Sequence, residues 1–196
     1  LETEIEKFPP IMQTRNFGGW SVLSSNGEIS DGWQMGHKCF KETKDGTISD
    51  IEGLKKLQIM EEDAYSRPTE ICRGYLADVL TELKKSGLEI FRARISLLKS
   101  GGETSIHRDG LDEFYHVRLH IPIKTNTDCF FATEEGRAHF PADGSGYLVK
   151  VNRMHAAMNY GKTDRYHLMM GIRDFKGVTE FHRAPGPEAF PKHTGA

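Results

Sequence analysis

Cysteine is scarce in this chain, and Cys39, Cys72 and Cys129 are odd in number and widely separated. That pattern excludes a disulfide framework and a CxxC zinc site, leaving reduced thiols of structural use. Long hydrophobic runs are missing too: no stretch approaches the roughly 20 apolar residues that cross a bilayer, so no membrane partner is expected. There is no excess charge of one sign. A net charge of -2 gives no basic field, which disfavours nucleic acid as a partner. The opening LETEIEKFPP lacks a basic region followed by an apolar stretch, so a cytoplasmic protein is the expectation. The chain begins with Leu rather than Met, and a leader ahead of it stays open.

What is present is an ordinary globular composition, 37% apolar and 28% charged over 196 residues, enough for one domain with a real core. Residues 1–50 hold turn signals (NFGGW, SSNGEISDGW, KDGT) between short stretches, and read as strands and loops. Trp20 and Trp33 are packing residues or walls of a pocket. Residues 51–87 turn helical. Ile51, Leu54, Leu57 and Met60 recur at threes, and Thr69 is read as the N-cap of a second helix through Ile71, Cys72, Tyr75, Leu76, Val79, Leu80 and Leu83, stopped by Lys84, Lys85 and Gly87.

Residues 88–176 read as strands. IFRARISLL places Phe91, Ala93, Ile95 and Leu97 on one face. YHVRLHIPI sets Val117, Leu119 and Ile121 against His116, Arg118 and His120, whose polar face turns either to solvent or inward to a ligand. CFFAT, AHF, GYLVKV, HAAMN and YHLMMGI follow at short intervals, a spacing that argues for an antiparallel sandwich or barrel. Residues 177–196, with Pro185, Pro187 and Pro191, are expected to be an irregular tail, with His182 and His193 at the surface.

Chemistry concentrates between His107 and Arg165. In an extended segment the side chains of His107 and Asp109, from HRD, project to one side, and His155 offers a third ligand. Two imidazoles and one carboxylate with open positions suit a non-haem iron(II) that activates oxygen. Arg165, a permanent cation, can grip a carboxylate through two parallel hydrogen bonds. The pairing suggests iron with an oxo-acid cosubstrate.

The motifs HRD, RLHIPI, MHAAMN and RYHLMMGIRD, spread over Arg92 to Asp174, resemble the iron(II)- and 2-oxoglutarate-dependent oxygenases, and among them the aspartyl/asparaginyl β-hydroxylase-like group. The resemblance implies a mainly β fold, a double-stranded β-helix (jelly roll, cupin-like) with helices packed on one sheet. By it His107, Asp109 and His155 hold iron, Arg165 holds the distal carboxylate of 2-oxoglutarate, and Arg118 and His120 line the same pocket. Asp109 is present where animal members lack the carboxylate, so the chain is similar to bacterial members such as the free L-proline cis-hydroxylases. The implied reaction hydroxylates an amino acid, free or in a polypeptide, with O2, releasing succinate and carbon dioxide.

Two other readings compete. A cupin-like metalloenzyme that does not use 2-oxoglutarate shares the ligands but has no need of Arg165, and a non-catalytic jelly roll binding a small molecule needs neither iron nor oxygen. Arg94, Arg108, His116 and Arg153 are candidate contacts for a substrate carboxylate, or surface residues. No peptide-binding repeat is recognisable, which tilts the substrate toward a small molecule. Oligomeric state is not legible.

Overall fold

The alternating stretches of the second half of the chain pair into two antiparallel sheets. A computed structural model of the chain describes residues 5–31, 62, 64–109 and 117–172. The expected helix from Ile51 to Met60, together with Cys39, Trp33, KDGT, His116 and the tail from residue 177, lies outside the described residues.

Before the helix come strands β1 (Ile11–Met12), β2 (Phe17–Ser21), β3 (Leu23–Ser24) and β4 (Arg67–Pro68). Helix α1 spans Tyr75–Lys85. It is followed by β5 (Ile90–Leu98), β6 (Gly102–Glu103), β7 (Val117–Lys124) and β8 (Cys129–Thr133). The last four strands are β9 (Gly136–Ala138), β10 (Tyr147–Lys150), β11 (His155–Asn159) and β12 (Arg165–Ile172). The larger sheet has the order β1-β2-β5-β12-β7-β10, the smaller β6-β11-β8-β9. Non-sequential neighbours in both, such as β5 beside β12, give the jelly-roll, cupin-like core. The N-terminal strands β1 and β2 belong to the larger sheet, through pairing of β2 with β5.

Each central strand of the larger sheet has one face for the core and one for the interior. Ala93, Ile95 and Leu97 of β5, Leu119 of β7, and Tyr166, Leu168 and Met170 of β12 join Leu76 and Leu80 of α1 in one buried cluster. Trp20 packs there as well, stacked on Tyr166 at 6.1 Å and donating from Nε1 to the Phe8 carbonyl, so it is a core residue. The opposite faces carry Ser96, Arg118, His120, Arg165 and His167, all buried. Between the sheets, His120 of β7 meets the edge of Phe131 in β8 at 5.8 Å. Asn159 of β11 is fully buried and donates to Leu98 O of β5 (3.0 Å) and Thr163 O (2.9 Å).

Two expectations are corrected. Thr69 does not cap the helix: its hydroxyl donates to Ser21 O (2.7 Å) and its N–H to Val22 O, so the chain is still bound to the sheet there. Helix α1 starts six residues later, after Gly74, whose φ of 52° breaks the preceding chain, and ends at Ser86 with Gly87 in the left-handed region (φ 91°) as the terminal signal promised. Along β5, Phe91 does not share a face with Ala93. Arg92 has φ 48° and its N–H bonds to Tyr65 O instead of β12, a bulge that shifts the register. Ile90 takes the core position, and the ring of Phe91 lies against Gly171, where a Cβ would strike it.

Candidate metal and acid site

The three candidate metal ligands are brought together by backbone pairing. His107 N donates to His155 O (3.0 Å), His155 N returns the bond to His107 O (2.8 Å), and Asp109 N donates to Val151 O (2.8 Å). The segment after β6 is thereby stitched to the start of β11. One ligand atom from each of His107, Asp109 and His155 lies within 4.8 Å of the others, a group able to share one ion.

The tautomers suit that use. His107 Nδ1 lies 2.7 Å from Ser105 O and His155 Nδ1 lies 2.8 Å from Arg153 O. A carbonyl only accepts, so Nδ1 carries the proton in each ring and Nε2 keeps the lone pair a metal needs. Burial raises the Asp109 carboxyl, but the charges of Arg118, His107, His155 and Arg92 outweigh it and hold the group below the ordinary carboxylate value. His155 is pushed below the usual imidazole value, mainly by burial. At neutral pH these two present a carboxylate and a neutral imidazole, and the donor set of two nitrogens and one oxygen fits a ferrous ion.

Further into the interior lies Arg165, which is 2% exposed and meets no carboxylate among the described residues. Burial lowers its guanidinium to about 10, opposed by Cys129, so it stays charged at neutral pH. Beside it, His120 is 3% exposed and neither ring nitrogen has a hydrogen-bond partner. Burial first, then Arg165, His155, Arg118 and Arg94, drives this imidazole well below its ordinary value, so it is neutral. Phe131 stacks on His155 (5.2 Å) and Phe140 stacks on Tyr147 (4.6 Å), and both phenyl rings meet His120 edge-on. A buried guanidinium without a carboxylate among the described residues, next to an imidazole with two unsatisfied nitrogens, has the chemistry to take up an acid group.

A family model described as Aspartyl/Asparaginyl beta-hydroxylase matches residues 37–174, most of the chain and every residue of the site. The chain belongs to that family. A search of the curated proteins returns no match. Among solved structures, the chain is similar to an oxidoreductase of the 2OG-Fe(II) oxygenase family from Burkholderia pseudomallei (TM-score 0.46, 11% identity, 88% of this chain and 75% of that one). It is also similar to a cupin domain from Bordetella pertussis (TM-score 0.36, 21% identity, 44% and 84%) and to a predicted oxalate decarboxylase from Thermotoga maritima (TM-score 0.35, 16% identity, 47% and 73%).

In this β-hydroxylase-family chain the polar face of β7 turns inward, the second of the two orientations open from sequence. Arg118 lies on it, 3% exposed, with Nη2 donating to Glu62 Oε1 (2.8 Å), and its charge bears strongly on Asp109. The same carboxylate oxygen accepts from Arg92 Nη1 (2.9 Å). Of the other candidate contacts, Arg94 lies in β5 opposite Met169, Arg108 is exposed, and Arg153 is ion-paired with Glu135 in solvent. Sequence reasoning missed Glu62 and His167. His167 was within reach, two residues beyond Arg165 on an alternating strand and hence on the same face. Glu62 gave no signal, since its role is set by two arginines distant in the chain.

Proposed function

We propose that this hydroxylase is iron(II)- and 2-oxoglutarate-dependent and acts on an amino acid, free or as an Asp, Asn or Pro-type residue of a polypeptide, with a small-molecule substrate favoured. The observation that carries the reading is the pairing of the His107, Asp109, His155 triad with a buried Arg165 that meets no carboxylate among the described residues. A cupin that used the metal alone has no reason to bury that cation, whose desolvation costs several kcal/mol unless an anion compensates it.

Bound at the triad, iron(II) supplies oxygen activation, with 2-oxoglutarate oxidised to succinate and carbon dioxide as one oxygen atom enters the substrate. The protein's own part is orientation. Nε2 of His107, Nε2 of His155 and an oxygen of Asp109 would hold the ion, the two rings kept in place by the carbonyls of Ser105 and Arg153. Arg165 would fix the far carboxylate of the oxo-acid, with the unpaired imidazole of His120 lining the same interior. Phe131 and Phe140, stacked on each other at 6.0 Å, add apolar surface beside His120 and His167, and a drier setting strengthens charge pairing.

Incubating the chain with iron(II), ascorbate, 2-oxoglutarate and a panel of amino acids, and following succinate by mass spectrometry, tests the reading. His107→Ala is expected to abolish succinate formation and weaken metal binding; full turnover in that variant refutes the assignment. Arg165→Leu is expected to raise the KM for 2-oxoglutarate at least tenfold, the loss of a charge-assisted bidentate contact worth about 1.5–3 kcal/mol, while metal affinity holds. An unchanged KM counts against the role given to Arg165.

A further inference from the structure

A guanidinium offers two forks, Nε with Nη2 along its side and Nη1 with Nη2 at its end. In Arg165 the side fork is taken. Nε lies 3.1 Å from Nε2 of His167, and Nη2 lies 2.8 Å from Nδ1 of the same ring. His167 is 1% exposed and held from two further directions, edge-to-face by His120 (5.9 Å) and tilted against Phe140 (6.3 Å). Burial first, then Arg165, His120 and His139, pushes its pKa well below the ordinary value. A neutral imidazole has one lone-pair nitrogen, so it accepts one hydrogen bond from this fork and lies alongside the other N–H.

We propose that His167 is the positioning residue of the acid receptor: by occupying the side fork of Arg165 it leaves the end fork as the edge presented to the far carboxylate. The inference rests on the oxygenase reading and extends it. A long arginine side chain loses about 2 kcal/mol of rotamer freedom when fixed. Contact with His167 fixes it before the acid arrives, so binding does not bear that cost. The imidazole suits the task because it accepts without bringing charge. A carboxylate in its place would neutralise Arg165 and remove the attraction for the ligand.

The test uses the full chain loaded with Mn(II), a redox-inert stand-in for iron, and titrates 2-oxoglutarate by calorimetry. His167→Phe keeps a planar ring but removes the acceptor, whereas His167→Gln keeps an acceptor in a different shape. The Phe variant is expected to bind 2-oxoglutarate roughly tenfold more weakly or worse, the Gln variant to recover most of the loss, and Mn(II) affinity to stay the same in both. In turnover the Phe variant raises KM for 2-oxoglutarate with kcat little changed. The inference is overturned if Phe binds the acid as tightly as the parent, if Gln binds no better than Phe, or if Mn(II) affinity falls in parallel. Should His167→Phe not fold, His167→Leu takes its place in the same comparison with Gln. A parent chain that binds no 2-oxoglutarate removes the oxygenase reading itself, and the inference with it, before any substitution is made.

Discussion

His120 and His167 are buried imidazoles held neutral beside a guanidinium, and that makes the interior sensitive to acid. Both have folded pKa values pushed below the ordinary 6.5. As pH falls below that value the unfolded chain takes up protons that the folded chain refuses. Stability is therefore full above about 6.5 and declines with acidification, by about 1.4 kcal/mol per pH unit for each such histidine, until the folded values are reached. His155 contributes in the same direction, whereas Asp109, also lowered, acts in the more acidic carboxylate window. Urea midpoints should thus drop between pH 7.5 and 5.5, and less steeply in His167→Gln. Equal midpoints at the two pH values would contradict neutral burial. At this scale the sequence was informative where chemistry and alternation coincide: His107 and Asp109 of HRD do lie together with His155, and Arg165 is buried. It was silent on Glu62, because nothing local to a carboxylate tells which arginines will surround it.

Strand β5 is bent by a bulge at Arg92, and the bend has a partner in β12. Gly171 lies opposite Phe91 in the ladder, and a methyl group there would overlap the Phe91 ring. Gly171→Ala is expected to cost about 1–3 kcal/mol by overpacking. Because the two residues touch, Gly171→Ala with Phe91→Leu should cost less than the sum of the single changes. Denaturant unfolding of the four proteins gives the coupling, and strict additivity would show that the contact does not limit the site. Strand positions were legible from period-two alternation, and the C-terminal stop of α1 from Lys84, Lys85 and Gly87. The bulge and the late start of α1 were not. Both depend on bonds to segments far away in sequence, from Arg92 to Tyr65 and from Thr69 to Ser21.

Taken whole, the chain brings its candidate metal ligands together from two segments that the fold ties by the bridge between His107 and His155 and by the bond from Asp109 N to Val151 O. An ion held by both clamps the segment after β6 to β11, and binding to the folded state alone adds about 2.7 kcal/mol at a free concentration one hundred times the dissociation constant. Iron(II) or Mn(II) should raise the Tm and EDTA should reverse the rise, with His155→Ala showing neither effect. A Tm indifferent to metal in the parent chain would count against the site. The sequence by itself determined the candidate donors and the strand-rich, antiparallel second half, because side-chain chemistry and a period of two are local properties; the jelly-roll class came from the resemblance of its motifs to a known family. Only the tertiary structure decided that the Arg118 and His120 face of β7 turns inward, that Trp20 belongs to the outer core, and that His167 meets Arg165 in the interior. Alternation sorts residues into two faces without saying which is covered. That choice is made when a second sheet closes over one face and a helix over the other.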